Sequence, residues 1–355
     1  MNNDIALFKF IYSWFIVFYH FDATHAHVEA GYFGVEFYLI VAGVFFFQSY
    51  EKQLARGTLM TPGTYCKKRF SRLFPWAFTA FLFTAAVMRR SFFLHEFSLP
   101  RLLSYLSDDI WEILLVKWNG MNEGGSMMLN VPAWTMSSLL IVGVLLWAVL
   151  YHYDKKFLHV FMPLTLIIGY GIWRHLPEAS TGVWIGFTTV GTFRTYLAMC
   201  LGYYAVQLSK KLSAISFNRL GEWLLSLCEL CCHAMAFVIM LHCDTRNFQW
   251  LTTLLFFVAV AIALSGKSRL CQLLNQCHFI SYLQDLSLSV YLVHIATFEI
   301  FTHFFGDTLS GLSLAILVGM ILVCAAGHFL ITRYLVRLAP DVWKRFMKQI
   351  THADV

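Results

Sequence analysis

Long hydrophobic stretches recur along the chain and are separated by short polar or basic segments. Each stretch has about 17 to 25 residues, which is the length of a helix that crosses the hydrocarbon core of a bilayer. The pattern therefore predicts ten membrane-spanning helices. They cover residues 5–22, 32–50, 73–94, 133–153, 157–174, 193–209, 223–243, 248–265, 286–305 and 310–336.

The segment "LLSYLSDDIWEILLVKW", residues 102–118, follows a different pattern. Its apolar residues recur on one helical face and its polar residues lie on the other, which predicts an amphipathic interfacial or re-entrant helix. No internal repeat and no soluble domain is evident. We therefore expect one integral membrane domain over residues 1–340, followed by a short cytoplasmic tail over residues 341–355.

Composition supports this class of protein. The 355 residues are 59% hydrophobic and 13% charged, with a mean hydropathy of +0.63, whereas soluble domains are about 25% charged. The predicted fold is an all-α polytopic membrane protein with about ten transmembrane helices around a central cavity. The net charge of +6 does not indicate a nucleic-acid partner, because the basic residues lie in short loops between spans.

The distribution of basic residues predicts the orientation. If the N-terminus is inside, eighteen of the 26 Lys and Arg residues fall in inner segments and seven fall in outer segments. Positive residues favour the cytoplasmic side of short loops. We therefore expect a multi-pass protein of the cytoplasmic (plasma or inner) membrane with both termini in the cytoplasm.

Lys9 and His20 lie within the first hydrophobic stretch with no charge between them. Eleven residues at about 100° each return them to nearly the same face of a helix, which indicates a lined cavity. Glu36 enters the membrane from the side on which His20 leaves it, so the two side chains should lie at similar depth. A carboxylate beside an imidazole suits a general base, as in hydrolytic triads, but simple charge neutralisation within the bundle is the alternative.

Arg69 and Arg72 precede the third hydrophobic stretch on the inner side. Spaced three residues apart, they share one face of a helix and could pair with a phosphate-bearing ligand. The alternative is an ordinary basic flank that contacts anionic lipid. His294 lies in the middle of the ninth stretch near Tyr291, where either a functional role or hydrogen bonding between helices would explain a polar group.

Three motifs in the first third of the chain resemble those of the membrane-bound acyltransferase-3 family. Lys9 and His20 are separated by ten residues, as are an Arg and a His in that family. Residues 31–43, "GYFGVEFYLIVAG", resemble its second-span motif, and Arg69 and Arg72 with the following Pro75 resemble its R-x-x-R motif. These motifs occur in the same order as in the family.

Three further motifs follow in order along the chain. They are "WTMS" at residues 134–137, "RTYLAMCLGYYA" from Arg194, and "LSLSVYLVH" ending at His294. The resemblance covers nearly the whole length. It implies a ten-span enzyme that transfers an acyl group from acyl-CoA, most often acetyl-CoA, to a carbohydrate or cell-envelope glycan on the other side of the membrane.

The resemblance also implies roles for individual residues. Lys9, Arg69 and Arg72 would bind the acyl-CoA, while His20 would act as general base or transient acyl acceptor with Glu36 orienting it. The remaining polar candidates would bind the acceptor or stabilise the oxyanion; they are Trp134, Ser137, Arg194, Tyr291 and His294. No metal is expected, the lipid bilayer is the surrounding partner, and a homo-oligomer is compatible with the sequence.

A non-enzymatic transporter or flippase of a small polar or lipid-linked solute is the alternative function. The charged residues within the membrane would then line a transport path. Turnover of a thioester separates the two functions, because a transporter should not release CoA when an acceptor is added.

Overall fold

The computed structural model describes residues 2–21, 28–116, 129–176, 182–243, 248–306 and 311–351. Within these ranges the chain is almost entirely helical, and the only strand-like pairing is an isolated bridge between Trp184 and Thr189. The predicted all-α fold is confirmed. The α-helices are α1 (Asn3–His20), α2 (Gly34–Ala55), α3 (Pro62–Met88), α4 (Arg90–His95), α5 (Leu99–Ile113), α6 (Trp134–Lys156), α7 (Met162–His175), α8 (Val190–Ala214), α9 (Arg219–His242), α10 (Gln249–Ser265), α11 (Arg269–Leu274), α12 (Ile280–Phe305) and α13 (Gly311–Thr351).

Each of the ten predicted spans overlaps a helix. Among the described residues, seven helical segments are long and apolar enough to cross a membrane, which confirms a polytopic membrane protein. The seven are Gly31–Ala55, Pro62–Met88, Val131–Tyr153, Phe157–His175, Arg219–His242, Ile280–Phe305 and Gly311–Arg337. Several include a short 3-10 turn or π-helical turn adjoining the α-helix.

The other three predicted spans correspond to α1, α8 and α10. Helix α10 is apolar but has 17 residues, whereas α1 and α8 carry ionisable groups such as Lys9 and Arg194. Half of the residues of α1 and more than half of those of α8 are buried against other helices, and a helix shielded from lipid does not need an apolar surface all round. Membrane crossing by these three helices stays a prediction.

The third hydrophobic segment begins and ends earlier than the predicted range of 73–94. Helix α3 begins at Pro62, where the Thr61 side chain accepts a hydrogen bond from the Thr64 N–H and caps the first turn. The helix breaks at Arg89, whose guanidinium pairs with Asp109 of α5. Hydropathy missed the first eleven residues, because Lys and Arg lower it without disfavouring a helix.

Close packing of α2 on α8 brings the two central motifs together. A Cβ added at Gly202 would lie 2.6 Å from the backbone of Gly43, and one added at Gly43 would lie 2.2 Å from the Met199 carbonyl oxygen. Only glycine permits this approach, as at small-residue interfaces between membrane helices. On the other side of the bundle, α1 packs along α12, which also contacts α3 and α13.

Helix α5 covers residues 102–113 of the segment predicted as amphipathic; residues 114–116 follow it as a turn, and residues 117–118 lie outside the described residues. Leu99, Leu103, Leu106 and Ile110 are exposed at helical spacing, while Asp109 is buried. An exposed apolar stripe of this kind suits an interfacial position, which stays a prediction.

Helix α13 continues to Thr351, past the predicted domain boundary at residue 340. The boundary therefore does not coincide with a break in the helix, and residues 352–355 lie outside the described residues. The division into membrane domain and tail stays a prediction.

Candidate active site

Lys9 lies beside an aromatic residue of α2. Its Nζ is 5.2 Å from the centre of the Tyr38 ring, and the Tyr38 hydroxyl donates a hydrogen bond of 2.6 Å to the Lys9 carbonyl oxygen. A cation over an aromatic face is stabilised by the ring quadrupole. Tyr38 was not among the candidates from the sequence. Its link to Lys9 depends on how α1 packs on α2, and no local pattern indicates that contact.

A continuous row of rings joins Lys9 to His20. The Tyr38 and Tyr291 rings stack with centroids 6.0 Å apart, Tyr291 and His294 are 6.2 Å apart, and His294 and His20 are 5.3 Å apart. We call these five residues the aromatic ladder. It follows α1 over about 16 Å, the rise of eleven helical residues. Two predicted site residues of α1 and two of α12 are therefore brought together.

His294 has a defined tautomer. It is fully buried, and its Nδ1 lies 2.8 Å from the Tyr291 carbonyl oxygen. A carbonyl oxygen can only accept, so Nδ1 carries the proton and, in the neutral ring, Nε2 is left as an acceptor. Nε2 is buried with no hydrogen-bond partner among the described residues. This lone pair is positioned to receive a proton donor.

His20 lies at the open end of the ladder. It is the last residue of α1, its side chain is exposed, and its ring is 5.2 Å from that of Tyr19. An exposed imidazole can be reached by a second substrate, whereas His294 is fully buried. The two histidines thus differ in access.

The sequence predicts that Glu36 lies beside His20, but the two side chains do not pair in the structure. Its Oε1 accepts hydrogen bonds from Arg194, at 2.9 Å from Nε and 2.7 Å from an Nη atom. Both side chains are buried, and no hydrogen bond or ion pair joins Glu36 to His20 in the described structure. Arg194 lies in the second turn of α8, and the glycine contact between α2 and α8 brings it to Glu36. A guanidinium with several donors is the stronger partner for a carboxylate than a single imidazole.

Two tryptophans surround the buried ion pair of Glu36 and Arg194. The Arg194 Cζ lies 5.8 Å from the centre of the Trp134 ring and 5.4 Å from that of Trp173. Trp134 was predicted as a site residue, but Trp173 was missed. In the sequence, Trp173 is an aromatic residue in the last turn of an apolar helix. Aromatic residues that anchor a helix at the membrane interface occupy the same position, so this pattern does not identify a site residue.

Ser137 is buried with its hydroxyl already engaged. Its Oγ donates a hydrogen bond of 2.8 Å to the carbonyl oxygen of Leu115, a residue with a positive φ of 59°. This bond stabilises the turn after α5. A role of Ser137 as oxyanion donor would require that hydrogen bond to open, so the structure favours a positioning role.

A cluster of cationic side chains lies at the Lys9 end of the ladder. Arg69 and Arg72 are both on α3, one turn apart, which confirms that they lie on a helix. Arg72 and Asp285 act electrostatically on Lys9, and Arg333 lies 3.8 Å from Asp285. Arg69 is half-buried, and its Nε has no hydrogen-bond partner among the described residues. An unpartnered guanidinium donor is the group that an anionic ligand would satisfy.

The described residues contain no group of three or more His, Cys, Asp or Glu side chains arranged to hold a metal ion. The described side chains of this site include imidazoles, hydroxyls and cations. Together they can hold an anion at the Lys9 end and exchange a proton at the His20 end. That combination suits transfer of a group from an anionic carrier to a hydroxyl.

The family model described as an acyltransferase domain, that of the acyltransferase-3 family, matches residues 2–330. The matched region contains every residue of the aromatic ladder, the cationic cluster apart from Arg333, and the Glu36 and Arg194 pair. Comparisons with curated proteins and with solved structures give no match.

Proposed function

Because this chain belongs to the acyltransferase-3 family, we propose that it transfers an acyl group, most simply acetyl, from cytoplasmic acyl-CoA to a hydroxyl of a carbohydrate or cell-envelope glycan across the membrane. The observation that carries the proposal is the aromatic ladder, which joins a cationic cluster to an exposed histidine about 16 Å away. An extended thioester arm has a comparable length.

Arg69, Arg72 and Lys9 would bind the phosphates of CoA. The unpartnered Nε of Arg69 supports this assignment, because a buried donor without a partner costs roughly 1–3 kcal/mol that a bound phosphate would recover. In the proposed topology the Lys9 end faces the cytoplasm of the plasma or inner membrane, where acyl-CoA is made, and both termini lie on that side. The acyl arm would extend along the ladder toward His20.

In the proposed reaction, His20 acts as general base. The acceptor hydroxyl gives its proton to the His20 ring while its oxygen attacks the thioester carbonyl. The carbon–sulfur bond then breaks, and the thiolate of CoA takes the proton from the imidazolium, so that no proton is released overall. A transient acyl-histidine on His20 is the variant of this route. It would be detected as acylated protein when donor is supplied without acceptor.

His294 takes the orienting role that the sequence assigned to Glu36. The His20 and His294 rings are 5.3 Å apart, which is roughly the separation of two imidazoles that share an N–H···N hydrogen bond. The free Nε2 of His294 would accept the second N–H of His20 and stabilise its imidazolium. Glu36, Arg194 and Trp134 would form the adjoining rigid wall of the acceptor site.

The test measures CoA release from acetyl-CoA by the purified full chain in lipid nanodiscs, with and without a crude extract of envelope carbohydrate. Extract-stimulated release is expected in the wild-type protein and not in His20→Ala. The matched control is His95→Ala, because His95 is an exposed histidine at the end of a short helix. If His20→Ala releases CoA at the wild-type rate, His20 has no part in the chemistry. If the wild-type protein neither binds nor turns over acetyl-CoA, the transport function becomes the one to pursue.

A further inference from the structure

A crevice of about 410 Å³ lies between α7, α8 and α10. Its inner wall is formed by residues from all three helices, and its rim by exposed residues of α7 and α10. The inner wall consists of Tyr170, Trp173, Leu201, Gln249 and Thr253; the rim consists of Gly171, Arg174, Trp250 and Leu254. We call it the α7–α10 crevice. No step of the proposed reaction uses it.

Two polar groups on the inner wall lack hydrogen-bond partners. The Tyr170 hydroxyl and the Gln249 Nε2 are buried with no partner among the described residues, and Gln249 is only 4% exposed. The neighbouring Thr253 hydroxyl is engaged, because it donates to the Gln249 carbonyl oxygen at 2.8 Å. Each unpaired buried group costs roughly 1–3 kcal/mol. Both atoms are closed off from the open volume of the crevice, so a ligand with hydrogen-bonding groups would remove that cost once the surrounding side chains move aside.

The rim faces the side of the helical bundle. Trp250 and Leu254 are 47% and 43% exposed, and Ile168 on the neighbouring surface of α7 is 51% exposed. The segment Phe157–His175 is long and apolar enough to cross a membrane, so we expect its exposed isoleucines to face lipid tails. The crevice therefore opens toward lipid, and its occupant must carry an apolar portion.

Arg174 gives the rim a positive charge. It lies in the last turn of α7, is exposed, and makes no ion pair with any described residue. A guanidinium group near a bilayer surface can donate two parallel hydrogen bonds to two oxygens of one phosphate. A phosphate attached to a lipid chain is the ligand that matches a cationic rim, an apolar passage and a polar inner wall together.

The α7–α10 crevice is separated from the buried Glu36 and Arg194 pair by one side chain. Trp173 lines the crevice and also contacts Arg194, whose Cζ is 5.4 Å from the centre of the ring. The charges of Glu36 and Arg194 also act on the Tyr170 hydroxyl. A head group on the inner wall would thus lie beside the proposed acceptor site.

We propose that the α7–α10 crevice binds a phosphate-bearing lipid, with the phosphate on Arg174 and the polar head group on Tyr170 and Gln249. The role of this lipid rests on the proposed function. In that function the bound lipid is the carrier of the acceptor. The glycan then reaches the site from the bilayer while still attached to its lipid. Gly171 at the rim provides the space for the chain.

The experiment measures binding of a polyisoprenyl monophosphate to the full chain in a neutral polyether detergent by native mass spectrometry. Saturable binding is expected. Gly171→Leu should weaken it at least tenfold, because a side chain at Gly171 meets open space and would fill the rim without backbone strain. Arg174→Gln should weaken it about tenfold through loss of the charged contact. Gly319→Leu is the matched control, since Gly319 also faces open space on a membrane helix.

Three results would overturn the proposal. Equal affinities of Gly171→Leu and Gly319→Leu would show that the lipid binds elsewhere. Competition by inorganic phosphate alone at the same concentration would indicate a simple anion site. The third result has two parts: dodecyl maltoside, an uncharged glycolipid analogue, displaces the lipid, and Arg174→Gln binds the lipid as tightly as the wild-type protein. Together they would show that the site does not recognise the phosphate.

The same titration in His20→Ala separates this inference from the proposed function. Lipid binding should be unchanged there, because His20 does not line the crevice. Lipid binding by a wild-type protein that shows no acyl transfer would leave the lipid site standing and refute the proposed reaction. Acyl transfer by a wild-type protein that does not bind the lipid would support the proposed reaction and refute the lipid site.

Discussion

Replacing Arg194 with methionine should destabilise the bundle far more than breaking an exposed ion pair of the same chain. Arg194 is 2% exposed and donates two hydrogen bonds, of 2.9 and 2.7 Å, to Oε1 of the fully buried Glu36. Methionine keeps most of the contact with Trp134 and Trp173 but removes both hydrogen bonds and the charge. The Glu36 carboxylate would remain buried with neither oxygen paired, because Oε2 already lacks a partner.

The expected loss follows from these contacts. Hydrogen bonds to charged groups contribute about 1.5–3 kcal/mol each, and breaking a buried ion pair by removing one partner costs about 3–5 kcal/mol. Two such hydrogen bonds amount to about 3–6 kcal/mol, which overlaps the cost of breaking the pair, so Arg194→Met should lower the free energy of unfolding by about 3–5 kcal/mol. Combining it with Glu36→Gln should recover part of this loss, because no uncompensated charge then stays buried.

Unfolding in mixed micelles of dodecyl maltoside and dodecyl sulfate, followed by circular dichroism, measures the difference. The control is Lys210→Met, which breaks the pair of Lys210 with Glu51 at 2.6 Å, where the side chains are 55% and 30% exposed. That change should cost at most about 1 kcal/mol. Equal losses in the two variants would refute the inference that burial gives the Glu36 and Arg194 pair its strength.

Three further predictions concern the cationic cluster, the helix contact and the histidine pair. Alanine at both Arg69 and Arg72 should weaken acetyl-CoA binding at least tenfold in a calorimetric titration, since two phosphate contacts are lost. Gly202→Ala should lower the free energy of unfolding by about 1–3 kcal/mol, because its Cβ would lie 2.6 Å from the backbone of α2. His294→Asn keeps a donor for the Tyr291 carbonyl but removes the free Nε2, so it should lower the transfer rate by about 100-fold with an unchanged unfolding transition.

Two of these predictions have a matched control, and the third has a defined contradicting result. Lys67→Ala with Lys68→Ala removes the same charge from the same helix, and an equal loss of acetyl-CoA affinity would mean that overall charge binds the donor. Gly319→Ala places a Cβ in open space and should leave stability unchanged or raise it slightly. Full activity of His294→Asn would reduce His294 to a contact between helices.

Helix positions were largely predictable from the sequence because they depend on local periodicity. Every predicted hydrophobic stretch coincides with a helix, and the turn spacing of Arg69 and Arg72 places them one turn apart on α3. The start of α3 was misjudged because hydropathy measures affinity for lipid, whereas helix formation depends on capping and propensity. Thr61 and Pro62 are signals of that second kind.

Partners between distant segments were not predictable in the same way. Glu36 was predicted near His20 because both lie at a similar depth in the membrane. Depth does not indicate which neighbouring helix a side chain faces. Glu36 pairs with Arg194, 158 residues away, because Gly43 and Gly202 bring α2 and α8 into contact. The link from Lys9 to Tyr38 depends in the same way on the packing of α1 against α2.

The class of protein, the helical segments, the family and most of the candidate residues follow from hydrophobic periodicity and short motifs in the sequence. The pairing of these residues depends on the tertiary structure, which joins Lys9 to His20 through Tyr38, Tyr291 and His294 and opens a crevice between α7 and α10. The difference arises because hydrophobic periodicity orients each helix toward the core, while the neighbour it meets there is selected by the packing of backbones and side chains from remote parts of the chain.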